Sequence, residues 1–224
     1  MQLLGPAPPV KVLDAGCGAG SFVTLATQQN YSVLGIDMSD VQIQNARAIL
    51  KADRLSPDLV RQCSIEDLAA EGVVFGACVI LDVLEHLENP VSFLQATRRT
   101  LVSPSKLIVS VPARPELYNQ RDVMSGHYLR YDPKTLRHHL REGGFVVQHL
   151  QYWNFLGWAK SFLNQKVLFR EQTDFYEFRY SSSLAARWLN SGLKTYFLQV
   201  ENRLRPPIGL SLLAVAMPGE ARIT

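Results

Sequence analysis

The chain is expected to fold as an α/β protein, with a mostly parallel sheet covered by helices on both faces. Three observations predict it. Apolar strand-like runs alternate with amphipathic helical stretches through the first 150 of 224 residues, the rhythm of repeated strand–helix units with right-handed crossovers. The run 76–82 (GACVILD) is nearly continuous in apolar residues, as a central parallel strand buried on both faces must be. The stretch 12–20 (VLDAGCGAG) reads as a buried strand entering a glycine-rich turn and then a helix.

Each element follows from local chemistry. After the first strand, Phe22, Leu25 and Ala26 share a helical face. A second apolar run, 31–36, ends in Asp37. Ser39-Asp40-Val41-Gln42 is a capping-box pattern that opens a helix to about Lys51. A short strand is expected near 59–64, and the central strand follows. Asn89-Pro90 caps and starts the next helix, which is expected to stop before Ser103-Pro104. Residues 106–111 form a fifth strand and 112–131 a loop. Asp132-Pro133 opens a helix with Leu136 and Leu140 on one face and Gly143-Gly144 as its stop. Residues 145–150 read as a sixth strand, 152–206 as an aromatic-rich, mostly helical insertion, and 208–217 (IGLSLLAVAM) as the last strand.

Composition narrows the function classes. Hydrophobic content of 47% with mixed charge describes a soluble globular chain. A net charge of +3 is too small to imply nucleic acid, and none is expected as a partner. Cys17, Cys63 and Cys78 are odd in number and unclustered, which fits buried thiols in a reducing compartment rather than zinc. The first ten residues lack a signal-peptide pattern, and no apolar run reaches about 18 residues. A cytoplasmic location is expected.

The glycines at alternate positions, Gly16, Gly18 and Gly20, remove Cβ atoms where the backbone bends and where a ligand must touch it. With Asp37 some 20 residues on, this is the layout of a nucleoside-binding half. The dinucleotide fingerprint Gly-x-Gly-x-x-Gly is not matched, because Ser21 holds the sixth position and the third glycine comes one residue early. That argues against a nicotinamide-dependent oxidoreductase.

The spacing Asp14-x-Gly16-x-Gly18-x-Gly20, with GIDMS at 35–39, resembles the S-adenosylmethionine-dependent methyltransferases of the Rossmann-like class. The resemblance implies a three-layer sandwich whose seven strands run in the order 3-2-1-4-5-7-6, the last antiparallel, with S-adenosylmethionine as cofactor. Asp37 is expected to accept the ribose hydroxyls, since charge-assisted bonds are the strong ones. Met38 either packs on the adenine or belongs to the core. The glycine loop and the helix N-terminus behind it suit the methionine portion and its carboxylate, with Asp14 as a brace. Relatives often carry an acid after the third strand for the adenine amino group. Here Ser64 stands there, so Ser64 and the backbone at Ile65 are the expected contacts, with Glu66 or Asp67 as substitutes. Carbonyls near Leu81 and Asp82 are expected to accept from the ligand ammonium. Relatives carry a helical arm before the first strand. With that strand starting near residue 10, the arm is expected to be absent or truncated.

Methyl transfer needs positioning above all, plus a base if the acceptor is a hydroxyl or protonated amine. Residues 82–90 (DVLEHLENP) resemble the fourth-strand motif of the ubiquinone-pathway O-methyltransferases. In that branch Asp82, Glu85 and His86 would hold a divalent cation. Alternatively Glu85 and His86 brace the next helix, or His86 is the base. No metal is expected. The stretch from Val109 to Phe145, with GHYLRY at 126–131, resembles a bacterial methyltransferase group with a Gly-His-Tyr-Arg-Arg-Tyr signature, although Leu129 replaces the first arginine. His127 is either the base or a histidine that orders its loop by bonding backbone or Asp122. Tyr128 and Tyr131 are expected to shape the acceptor pocket. Arg114, Arg121 and Arg130 are either anion binders or solvated. His138 and His139 are expected on a solvated helical face, and His149 in partly buried structural contact. The insertion, with Trp153 and Trp158, can be a lid, a dimer face or an interfacial helix, and core packing or a lid is favoured.

The expectation is therefore one methyltransferase domain over 1–224, with a cofactor core at 10–150 and a lid at 152–206. It would act as a monomer or homodimer on a small-molecule or lipid- or sugar-linked acceptor, at oxygen or nitrogen. A non-catalytic module that binds the cofactor or its demethylated product is the alternative.

Overall fold

The computed structural model describes residues 3–5, 11–162, 196, 201 and 206–219. Its strands are β1 (Val12–Ala15), β2 (Val33–Asp37), β3 (Val60–Gln62), β4 (Phe75–Leu81), β5 (Leu101–Pro112), β6 (Phe145–Trp153) and β7 (Ser211–Pro218). Its helices are α1 (Ser21–Gln28), α2 (Asp40–Ala52), α3 (Ile65–Ala70), α4 (Pro90–Arg99), α5 (Gln120–Met124), α6 (Pro133–Glu142) and α7 (Phe155–Phe162). The strands form one sheet in the order β3-β2-β1-β4-β5-β7-β6. β1 to β5 are mutually parallel, and β7 runs antiparallel to both of its neighbours. Fold class and strand order are those expected from the sequence.

The sheet separates two apolar layers because successive side chains alternate across it. On one face Val12, Val33, Ala77, Val79 and Ile108 pack with Val23 and Ala26 of α1 and Ile43, Ala46 and Leu50 of α2. On the other, Leu13, Ile36, Cys78, Ile80 and Leu107 pack with Leu68 of α3, Leu94 of α4 and Leu136 and Leu140 of α6. Every residue of β1 is buried, which explains why its sequence shows no polar alternation. The helix starts are held as the sequence reads: Ser39 accepts from the Gln42 N–H, Asn89 from Ser92 and Asp132 from Thr135. Pro90 and Pro133 occupy first-turn positions where an N–H would have no helical partner.

Three expectations need correction. β5 begins at Leu101 and runs through Ser103-Pro104 instead of starting at Lys106. The pairing with β4 jumps from Phe75↔Leu101 to Ala77↔Lys106, so Pro104 lies in an irregular stretch where its missing N–H costs no ladder bond. The loop at 112–131 contains α5, closed by a reciprocal cap between Asn119 and Asp122. Tyr131 belongs to the apolar core. It is fully buried, and its hydroxyl lies 3.4 Å from the Leu84 carbonyl and 3.3 Å from Nδ1 of His139. Most of the 152–206 insertion falls outside the described residues, and so does the reading of it as a lid, a dimer face or an interfacial helix. Among the described residues, no helix is long and apolar enough to cross a membrane.

Candidate active site

The chemistry-bearing loops gather at the C-terminal edge of the parallel strands, where open α/β sheets bind ligands. The glycine loop is stitched to β2. The Gly16 and Cys17 N–H groups both donate to the Ile36 carbonyl at 2.8 Å. The Gly18 N–H donates to Oδ2 of Asp37, and the Ser39 N–H to Oδ1, each at 2.9 Å. The Asp37 carboxylate is thus fixed in orientation, and each oxygen keeps lone-pair capacity for a ribose hydroxyl.

Two glycines have different reasons to be there. Gly16 adopts φ +82, and a Cβ on it would lie 2.5 Å from Cγ2 of Val83, so the loop abuts the segment after β4. Gly18 adopts φ +50, and a Cβ on it would meet nothing within 4 Å. The space above Gly18 is open, as a ligand approaching the backbone requires. The N-terminus of α1 has no side-chain cap, which leaves its first N–H groups for a ligand carboxylate.

Asp14 is buried beside Val79 of β4 and Gly35 of β2. Burial, and then the Asp37 charge, push its carboxyl up to about 7. Burial, with Asp14 and Asp37 adding, pushes the Cys17 thiol up to about 12, so this thiol is an inert packing group. Met38 is 74% exposed on the rim just after β2, a position open to an adenine ring and outside the core. Ser64 is engaged as the cap of α3, accepting from the Asp67 N–H at 3.0 Å and donating to Oδ2 of Asp67 at 2.6 Å. Ile65 begins α3 with its side chain buried.

The second half of the site follows β4 and β5. Asp82 stands just past β4 with φ +54, a conformation that costs a non-glycine residue about 1–3 kcal/mol. Arg114 and Asn154, just past β5 and β6, share this left-handed backbone. The Ser110 hydroxyl donates to Oδ1 of Asp82 at 3.2 Å. The Asp82 carboxyl is pushed up by the protein around it, with Ser110, His127 and His86 opposing.

Two histidines distant in sequence meet here. The rings of His86 and His127 lie edge to face, with centroids 4.6 Å apart. The Tyr128 N–H donates to the Glu85 carbonyl at 2.7 Å, and this bond docks the 126–128 loop on the turn at Leu84–His86. Burial first, and then His127, pull His86 below its ordinary value. Glu85 is 1% exposed, and its Oε2 has no hydrogen-bond partner. Burial pushes its carboxyl up to about 8. Glu85, His86 and His127 each bring a ligand atom within 4.8 Å of the others. A cation held there would therefore use His127 where the sequence resemblance implied Asp82.

The sequence offers Asp122 as a partner of His127 and leaves Arg130 as either an anion binder or solvated. In the structure Nδ1 of His127 lies 2.9 Å from Oδ1 of Asp122, and the Arg130 Nε–H donates to both Asp122 oxygens at 2.9 and 3.0 Å. Arg130 is an anchor for Asp122 and is not free for an acceptor anion. Arg114 pairs with Glu116 at 2.7 Å. His138 is exposed beside Arg141 and Glu142, and His149 bonds Gln151, as expected. His139 instead turns inward to Tyr131.

Comparison with known proteins agrees with this geometry. Residues 13–109 match the family described as the methyltransferase domain. The ubiquinone biosynthesis O-methyltransferase of Roseobacter denitrificans is 31% identical over 137 residues, covering 59% of this chain and 54% of that protein. The chain therefore spans about half the length of this relative. Among solved structures, the S-adenosylmethionine dependent methyltransferase from Mesorhizobium loti superposes with a TM-score of 0.60 at 16% identity, covering 96% of this chain and 94% of that one. The [4+2]-cyclase SpnF superposes with a TM-score of 0.62 at 16% identity, covering 97% and 79%. A cyclase and a methyltransferase sharing this architecture show that the fold alone does not set the reaction. The fold and the glycine-loop edge define a Rossmann-like, class I α/β protein. The chain is similar to the S-adenosylmethionine-dependent methyltransferases of that fold, and among them to the ubiquinone biosynthesis O-methyltransferases, with the family match confined to residues 13–109.

Proposed function

We propose that this chain transfers a methyl group to a hydroxyl of a small or lipid-linked acceptor, with His127 as the general base. The observation that carries the reading is the convergence of two halves at one sheet edge. Gly16 abuts Val83, and the turn that follows Val83 carries His86, whose ring centroid lies 4.6 Å from that of His127.

S-adenosylmethionine, when bound, supplies an electrophilic methyl on a sulfonium that departs as a neutral thioether. Asp37 orients the ribose, and the open backbone at Gly18 receives the methionine portion. Met38 offers an apolar face to the adenine, and the backbone at Ile65 and the Ser64 region flank it. Asp14 and the carbonyls at Leu81 and Asp82 face the cationic end. His127 takes the hydroxyl proton on Nε2, and the O–H electron pair stays on the oxygen that bonds to carbon. A positioned base of this kind contributes about 10²–10⁴-fold. His86 stays neutral beside it, so no second cation opposes the imidazolium. The exposed Tyr128 is assigned to the acceptor side. The relationship to O-methyltransferases supports oxygen as the acceptor atom.

The test is transfer of tritiated methyl to a panel of dihydroxybenzenes with and without alkyl tails. Product expected from the wild type falls at least 10²-fold in His127→Ala, with cofactor affinity unchanged. Full activity in that variant would remove His127 from the chemistry.

A further inference from the structure

We infer that Arg130 and Asp122 form a buried relay that fixes the tautomer of His127, so that Nδ1 carries the proton and Nε2 is the free base. This deepens the proposed reading of His127 and rests on it. Asp122 touches no reacting atom and is a positioning residue.

The argument is one of hydrogen-bond bookkeeping. The Asp122 side chain is 1% exposed, that of Arg130 14% and that of His127 17%. Oδ1 of Asp122 faces Nδ1 of His127 and one arm of the Arg130 Nε–H contact. Oδ2 accepts from the Asn119 N–H at 2.9 Å and also from Arg130 Nε. The Arg130 guanidinium and the Asn119 N–H, both fixed donors, converge on the carboxylate and favour its ionised form. An ionised carboxylate only accepts. The His127 nitrogen facing it must therefore donate, which assigns the proton to Nδ1 and leaves the lone pair on Nε2.

The backbone sets the same geometry. The His127 N–H donates to the Asp122 carbonyl at 2.9 Å, so Asp122 holds both the main chain and the ring of His127. Gly126 at φ +74 turns the chain back after α5 to allow it. The Tyr118 hydroxyl adds a bond to the His127 carbonyl at 2.7 Å. The imidazole is fixed in position, rotation and tautomer before any ligand arrives.

The exchange Asp122→Asn has a defined consequence. The Asn119 N–H requires an acceptor at the Oδ2 position, so the new amide oxygen occupies that place. Its NH₂ then faces Nδ1 of His127 and donates to it. The proton moves to Nε2, and the base is blocked while the cofactor pocket is untouched. In hydrolase triads the same exchange costs about 10⁴ in kcat.

The experiment is nitrogen-15 NMR of the histidine rings in the full chain at pH 8, with the His127 signals assigned by their loss in His127→Ala. The wild type is expected to show the Nδ1–H form. Asp122→Asn is expected to show the Nε2–H form, and Asp122→Glu to retain Nδ1–H. With catechol as methyl acceptor, Asp122→Asn should lower kcat at least 10²-fold and change KM for S-adenosylmethionine less than threefold. Because the spectrum is read without acceptor or cofactor, it tests the relay separately from the transfer reaction. An Nε2–H form in the wild type overturns the inference even if Asp122→Asn fails to fold. So does an unchanged tautomer in a folded Asp122→Asn, or displacement of both His127 ring nitrogens by added zinc or magnesium, which would make His127 a ligand.

Discussion

Asp14 and Asp37 lie on the adjacent strands β1 and β2, and their environments differ. Asp37 is held by two backbone N–H groups, whereas Asp14 is buried and pushed up to about 7. A cationic ligand favours the ionised form of Asp14, so its binding releases a proton where the free carboxyl is protonated. Affinity for S-adenosylmethionine should therefore rise as pH increases from about 6 to 8, and Asp14→Asn should flatten that dependence in calorimetric titrations. At Gly18 the left-handed backbone and the open space above it set a second expectation. Gly18→Ala should cost about 1 kcal/mol of stability, the usual penalty for a Cβ at positive φ, and weaken the cofactor by more than tenfold. A denaturant melt paired with a binding isotherm separates the two effects. Asp14, Gly16, Gly18 and Asp37 were legible from sequence because a strand–turn–helix fixes its residue types over a short span. The bond from His127 to Asp122 was one of the readings the sequence offered, but the Arg130 contact was not, because it forms only after a helix end and a glycine turn bring the two side chains together.

Elements show the same division. β1, β2, β4 and the capped helices α2, α4 and α6 could be read from apolar runs and from Ser39, Asn89 and Asp132, since each signal is local. β5 was read short because Ser103-Pro104 looks like a stop, and only the sheet irregularity explains its tolerance. α5 was read as loop because its five residues carry little periodicity, and its reciprocal cap became visible only in three dimensions. The Asn119 N–H holds the far oxygen of Asp122, and the Asn119 side chain, which accepts from the Arg121 N–H and donates to the Leu117 carbonyl, keeps that N–H in place, so α5 supports the histidine loop. Asn119→Ala should destabilise the chain by about 1 kcal/mol and lower methyl transfer more than it lowers cofactor affinity. An equal loss in both would place α5 in the general scaffold. In contrast, Ile80→Ala in β4 removes a fully buried side chain and should cost about 2–5 kcal/mol in urea denaturation.

Across the whole molecule, two buried carboxyls make stability depend on pH in a direction opposite to the usual acid denaturation. Asp14 and Glu85 have folded values of about 7 and 8, above the ordinary values of 3.8 and 4.5. Well below pH 3.8 both carboxyls are protonated whether the chain is folded or not, and they impose no penalty. As pH rises the unfolded chain ionises first, so stability falls through the window from about pH 4 to about pH 8. Glu85→Gln keeps the shape and removes the charge. It should raise Tm relative to the wild type at pH 8 and leave it nearly unchanged at pH 4, and a pH-independent difference would refute the buried-acid account. The parallel sheet brings the glycine loop and the paired histidines to the same edge, and every functional assignment depends on that edge receiving one ligand. Calorimetric titration of S-adenosylmethionine into wild type and Asp37→Ala tests this most directly. Saturable binding by the wild type, weakened by about 1.5–3 kcal/mol in the variant through loss of charged hydrogen bonds, is the predicted result. No binding by the wild type, or equal affinity in the two proteins, would contradict it.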